Sequence, residues 1–155
     1  MTTLLENTPA PLFSGIDQHG KKVALTKWKG KKVVLFFYPK DDTTSCTAEA
    51  CNLRDNYRTL VKKGLTVVGV SPDNVKSHSK FVTKYQLPYT LIADEDRTIA
   101  MAYEVYGEKL FFGKIITGIH RTTFIIDENG QIQKIITKVK TKDHAQQILE
   151  ALEVK

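Results

Sequence analysis

Cysteine is scarce in this chain, with two among 155 residues, and there is a single tryptophan. Two cysteines cannot build the disulfide framework that holds small secreted domains together. They stand as C-x-x-x-x-C, at Cys46 and Cys51. That spacing is neither the C-x-x-C of a dithiol oxidoreductase nor half of a zinc site. The four histidines, His19, His78, His120 and His144, are dispersed, and none forms a short-spaced pair with another or with a cysteine. No metal site is therefore expected. No apolar run is long enough to span a bilayer, so no membrane association is expected. The opening MTTLLENTPAPLF lacks the basic start and long apolar core of a signal peptide, which predicts a cytoplasmic protein. In that reducing compartment two cysteines are a chemical pair rather than a staple.

Aromatic-interleaved basic motifs are missing too. The net charge is +6, but the lysines are scattered, at Lys21, Lys22, Lys27, Lys29, Lys31 and Lys32 and again at Lys134, Lys138, Lys140 and Lys142. Such a distribution reads as solvated surface, not as a nucleic-acid interface. There are no internal repeats or low-complexity stretches. The length fits one domain, 1–155, burying roughly 70% of its unfolded surface.

What is present centres on residues 33–64. Val33 to Tyr38 is a β-branched and aromatic run that reads as a strand buried on both faces. Pro39 ends it, and Asp41 to Ser45 form a polar turn rich in helix-capping residues. A helical pattern follows from about Ser45 to Lys63, stopped by Lys62-Lys63-Gly64. Cys46 falls in its first turn, where unpaired N–H groups and the macrodipole favour an anion and make a thiol nucleophilic. Two buried apolar cysteines on a core helix are the alternative.

Elsewhere the pattern is plainer. Residues 1–9 read as a loose lead-in, and Asp17 to Gly20 as the turn of an N-terminal hairpin. Trp28 reads as a packing residue. Leu65 to Val70 and Tyr89 to Ala93 are strands, and Asn74 to Tyr85 is a helix capped by Ser71 or Asp73. Arg97 to Tyr106 is a short helix, Gly107 to His120 is irregular, and Arg121 to Asp127 pairs with Ile132 to Thr137 as a hairpin. Asp143 to Glu153 is a closing amphipathic helix. Phe111, Phe112, Ile115 and Ile116 form an apolar cluster that either packs into the core, the expected outcome, or docks a reductase or a second subunit. The alternation of elements predicts an α/β sandwich around a mixed sheet.

Pro39-Lys40-Asp41-Asp42-Thr43-Thr44-Ser45-Cys46 fits the pattern P-x-x-x-T-x-x-C, and Thr47-Ala48-Glu49-Ala50-Cys51 follows it. With Pro9-Ala10-Pro11, Val70-Ser71 and Gly118 to Phe124, the chain resembles, along almost all its length, the peroxiredoxin Q or bacterioferritin comigratory protein group of peroxiredoxins. The resemblance implies a thioredoxin-like fold, a central mixed β-sheet flanked by helices, with an N-terminal β-hairpin. It implies a thiol-dependent peroxidase that uses no cofactor, is recycled by thioredoxin or glutaredoxin, and is a monomer or weak dimer. Residue by residue, Cys46 matches the peroxidatic cysteine, Cys51 the resolving one, and Pro39, Thr43 and Arg121 the rest of the pocket. The chain departs from the group in having Thr44-Ser45 where Pro-Gly is common.

The chemistry asks for these residue types. Thiolate attack on a peroxide needs an in-line O–O bond and stabilisation of charge growing on oxygen. Arg121 is a permanent cation with several donors, although alone it reads as a strand-end surface charge. Strand alternation puts Arg121 and Thr123 on one face. Thr43 offers a hydroxyl or a helix cap, and Pro39 a shield without an N–H or a strand terminator. Glu49 either holds the arginine or simply favours the helix N-terminus.

Overall fold

The computed structural model describes residues 2–153. The central strand β3 (Lys32–Phe37) is buried along nearly its whole length. Val33, Leu35 and Phe37 face one hydrophobic cluster, while Val34, Phe36 and, just beyond the strand, Tyr38 face the other. A strand with apolar side chains on both faces belongs inside a sheet covered on both sides. It pairs in parallel with β4 (Leu65–Ser71), and β4 pairs in parallel with β5 (Thr90–Ala93). Parallel neighbours need crossover connections. These are α1 (Thr44–Asp55) with α2 (Tyr57–Lys62), and α3 (Val75–Tyr85).

On the other side of β3 the chain returns antiparallel as β8 (Thr122–Ile126), which pairs with β9 (Ile132–Ile136). The N-terminal hairpin, β1 (Ser14–Asp17) and β2 (Lys22–Ala24), adds to the far edge through β1 and β5. The sheet order is β2-β1-β5-β4-β3-β8-β9, the mixed thioredoxin-like sheet. Gly69 lies where β4 crosses close to its neighbours: a Cβ there would meet Leu91 and Phe36 side chains at 2.7 Å. The lead-in is not loose. Asn7 N–H donates to the Ile132 carbonyl at 2.7 Å and Ile132 N–H to Thr8 at 2.8 Å, which ties it to β9.

Other boundaries differ from the sequence reading for local reasons. The single helix over 45–63 is divided at Asn56 (φ −106°, ψ 10°), whose side-chain amide donates back to the Asn52 carbonyl at 2.9 Å. Asparagine competes with the backbone ladder in this way. Asn74, not Ser71 or Asp73, caps α3, its Oδ1 accepting from Ser77 N–H at 2.8 Å. The short helix α4 (Thr98–Ala102) stops early, because Glu104 takes φ 57° and the chain turns into a strand.

That strand, β6 (Tyr106–Phe111), pairs with β7 (Lys114–Ile119) as a separate two-stranded ribbon in the stretch read as irregular. Its tip is not in the core: Phe112 is 90% exposed, and Leu110, Phe111, Ile115 and Ile116 are exposed with it. The α5 helix (His144–Glu153) closes the sheet with Ala145 and Ile148 buried.

Candidate active site

Register brings the site together. Phe37, the last residue of β3, pairs with Thr122, the first of the antiparallel β8. Arg121 therefore enters the sheet beside the point where β3 releases the loop to α1. Ligands of open α/β sheets bind in this position, outside the carboxyl ends of the parallel strands.

The loop itself is held from behind by buried polar groups. Tyr38 donates its hydroxyl to Asp41 at 2.6 Å, Ser77 donates to the same carboxylate at 2.8 Å, and His78 Nδ1 lies 2.7 Å from it. His78 Nε2 faces the Ile92 carbonyl at 3.0 Å, so both ring nitrogens point at acceptors. Asp41 N–H donates to Asp73 at 2.8 Å, and Ser71 donates to the same oxygen. Asp42 follows in the left-handed region, at φ 58°, a conformation aspartate tolerates. Asp41, Asp73 and His78 lie close enough together to suggest a metal site. Their bonds go to Tyr38, Ser71 and Ser77, to backbone and, for Asp41 and His78, to each other, and the role they fill is to fix the loop.

Cys46, in the first turn of α1, is 2% exposed. Glu49, one turn later on the same side, is fully buried. Arg121 spans the two: Nη2 donates to Cys46 Sγ at 3.2 Å and Nη1 to Glu49 Oε1 at 2.6 Å. Burial works against the Arg121 charge, but Glu49 and Cys46 outweigh it and hold the guanidinium above its usual value. Burial pushes the Glu49 carboxyl up to about 7, with Arg121 offsetting part of the rise. The surface-cation reading of Arg121 and the purely helix-terminal reading of Glu49 do not describe these positions.

The other predicted residues lie apart from that trio. Cys51 sits on α1, half-buried and unbonded. Partial burial pushes its thiol up, opposed by Arg54. Thr43 occupies the position before α1 but makes no side-chain cap; its exposed hydroxyl donates to the Lys40 carbonyl at 2.9 Å. Pro39, partly buried, follows Tyr38, two residues beyond the end of β3, and leads into the loop. A cleft of 360 Å³ opens beside Arg121, lined also by Lys109, His120 and Thr122. A wider one of 720 Å³ runs along α3 past Asp41 and Asp42 and contains none of the thiol trio.

Sequence reading missed the buried supports. Lys109, only half-buried, donates to the Ile119 carbonyl at 2.7 Å, and its ammonium is pushed down by burial and by Arg121. Thr123 and His144, both fully buried, meet behind Glu49. Only Thr123 carried a signal, its shared face with Arg121; His144 lies 98 residues beyond Cys46 and nothing local marks it.

The chain matches the model of the AhpC/TSA family over residues 7–135. It is 47% identical over 140 residues to the putative peroxiredoxin bcp of Coxiella burnetii, covering 90% of this chain and 93% of that one. It is 44% identical over 143 residues to peroxiredoxin Bcp of Bacillus subtilis, covering 92% and 91%. Among solved structures it resembles the bacterioferritin comigratory protein of Xanthomonas campestris, a protein with alkyl peroxide reduction activity. That likeness has a TM-score of 0.84 and 34% identity, over 91% of this chain and 90% of that one. By sequence along nine-tenths of its length and by fold, the chain belongs to the AhpC/TSA family and, within it, to the peroxiredoxin Q or bacterioferritin comigratory protein group of thiol peroxidases.

Proposed function

We propose that Cys46 is the peroxidatic thiol and Cys51 the resolving thiol of this peroxidase, acting on hydrogen peroxide and organic hydroperoxides. The observation that carries this assignment is the Arg121 Nη2 contact to Cys46 Sγ at 3.2 Å. A guanidinium there stabilises a thiolate and the negative charge that grows on the departing oxygen. The Cys46 sulfur attacks one peroxide oxygen, the O–O bond breaks, and the other oxygen leaves as hydroxide or alkoxide and takes a proton. Cys46 sulfenic acid then condenses with the Cys51 thiol, forming the S–S bond and releasing water. A dithiol of the thioredoxin or glutaredoxin type reduces that disulfide by exchange. Thr43 positions the peroxide once its hydroxyl leaves Lys40, and Pro39 shields the sulfur from water. The chain acts as a single domain, 1–155, as a monomer or weak dimer in the cytoplasm, where two free thiols are stable.

The test is a pair of variants read in two assays. Cys46→Ser is expected to abolish peroxide consumption and sulfenic-acid trapping. Cys51→Ser is expected to form sulfenic acid in one turnover and then fail to recycle with thioredoxin or glutaredoxin. Equal loss of the first step in both variants overturns the assignment.

A further inference from the structure

Glu49 poses a question that the thiol chemistry leaves open. One carboxyl oxygen, Oε1, accepts from Arg121, but the other, Oε2, is buried without a hydrogen-bond partner among the described residues. A buried oxygen of that kind is costly unless a proton or a donor reaches it. The group facing it is His144 Nε2, at 3.6 Å, from the first residue of α5. The imidazole is completely buried and fixed at both nitrogens. Nδ1 lies 2.9 Å from Gln147 Oε1, which can only accept, so Nδ1 carries a proton. Nε2 lies 2.7 Å from the Thr123 hydroxyl, which donates to a neutral ring and accepts from a charged one. Thr123 and Gln147 thus take both ring nitrogens and lock the imidazole, which stands against Glu49 Oε2 as a packed polar neighbour at 3.6 Å.

We propose that His144 is a positioning residue for the peroxidase centre: its imidazole, locked by Thr123 and Gln147, backs the Glu49 carboxyl, fixes it and so holds Arg121 on the Cys46 sulfur. This rests on the assignment of Cys46 as the reacting thiol. Three elements meet in the arrangement: α1 through Cys46 and Glu49, the start of β8 through Arg121 and Thr123, and α5 through His144 and Gln147. Burial places a proton on the carboxyl, pushing Glu49 up to about 7 and His144 down to about 4. A protonated Glu49 is neutral and leaves the Arg121 charge to the sulfur, whereas an ionised one divides it. The other charged or titratable groups facing the cluster are Lys109, which acts on Arg121 and Cys46, and Tyr89, which faces Glu49.

The experiment measures single-turnover oxidation of Cys46 by hydrogen peroxide from pH 5.5 to 8.5 in wild type, His144→Phe and His144→Gln, with melting temperatures alongside. Loss of the partner should let Arg121 drift, and misplacement by about 1 Å costs on the order of 10- to 100-fold. His144→Phe is expected to lose that much rate and to change the shape of the pH profile. His144→Gln, whose amide reaches the Nε2 position, is expected to recover most of the rate. A folded His144→Phe with the wild-type rate and profile overturns the proposal, even if its melting temperature falls.

Should His144→Phe fail to fold, imidazole ¹⁵N shifts of the wild-type protein decide the matter. A neutral ring with its proton on Nδ1, responding to Cys46→Ser, is the expected result. A ring that titrates as a free imidazole, or is blind to Cys46→Ser, overturns the proposal. Sulfenic-acid formation that persists in Cys46→Ser instead overturns the thiol assignment, so the two failures are distinct.

Discussion

Oxidation to a Cys46–Cys51 disulfide should unwind the first half of α1. Both cysteines lie on one continuous helix, Thr44–Asp55, and both are free. Residues five apart on an α-helix are about 140° apart around the axis and about 7.5 Å along it, which puts their Cα atoms roughly 8–9 Å apart. A disulfide needs them within about 7 Å and facing each other. The two ends of α1 are not equally free to yield. Its later half is pinned: Tyr89 donates its hydroxyl to the Ala50 carbonyl at 2.7 Å, and Asn52 is bonded to Lys142 and Ala145 at 3.0 and 2.8 Å. Leu53 is wholly buried. At the start, Thr44 and Ser45 are exposed and the Thr43 hydroxyl, bonded to Lys40, does not cap the helix.

Unwinding should therefore run from Thr44 to about Ala50 and spare Leu53. It breaks roughly five backbone hydrogen bonds, at about 1 kcal/mol net each. It also draws Cys46 and Glu49 away from Arg121. Hydrogen exchange on the reduced and fully oxidised protein reads this directly. Amides of Thr47 to Ala50 are expected to lose protection by about 100-fold or more on oxidation, while Leu53 keeps its own. An oxidised protein with a proven Cys46–Cys51 bond and unchanged protection at Thr47 to Ala50 would refute the reasoning. Loss of protection through Leu53 would refute the part played by the Asn52 and Tyr89 anchors.

Further expectations concern the charges and the loop. Arg121→Lys keeps the charge but cannot bridge Cys46 and Glu49 with one planar fork, so second-order peroxide oxidation should fall by about 10-fold or more, with less change in melting temperature. Glu49 is an acid raised in the folded state, from 4.5 to about 7, so its contribution to stability falls as pH rises through that window. His144, lowered from 6.5 to about 4, has the opposite sign, with stability rising over that range. The two nearly cancel in wild type between about pH 4.5 and 6.5. Glu49→Gln removes only the falling part, and should gain on the order of 2 kcal/mol relative to wild type from pH 5 to pH 8 in chemical denaturation. A pH-independent difference would count against the buried-acid reading. Asp41→Ala leaves Tyr38, Ser77 and His78 without their shared acceptor, and should cost about 2–4 kcal/mol in urea unfolding while slowing Cys46 alkylation or peroxide oxidation through a displaced loop.

The candidate thiol centre was readable because its residues are contiguous: Thr43, Cys46, Glu49 and Cys51 lie in one strand–turn–helix stretch, the P-x-x-x-T-x-x-C spacing carrying Thr43 and Cys46 and the residues just after it Glu49 and Cys51. Strands buried on both faces also announce themselves, since a parallel strand such as Val33 to Phe37 has no solvent face to encode. Asn56 shows where that reading stops: helical periodicity continues through it, yet its backbone leaves the helical angles, with its side-chain amide turned back onto the Asn52 carbonyl. The ribbon of β6 and β7 shows the converse, because apolar residues such as Phe111 and Phe112 carry no mark of whether they are covered. Arg121 was named by its motif, but its two partners follow from the antiparallel register of β8 against β3, a pairing of residues far apart in sequence. His144, His78 and Asp41 had no sequence signal as site supports. A side chain is committed to a buried hydrogen bond only when folding removes water from it, and which partner then replaces water is decided by tertiary packing.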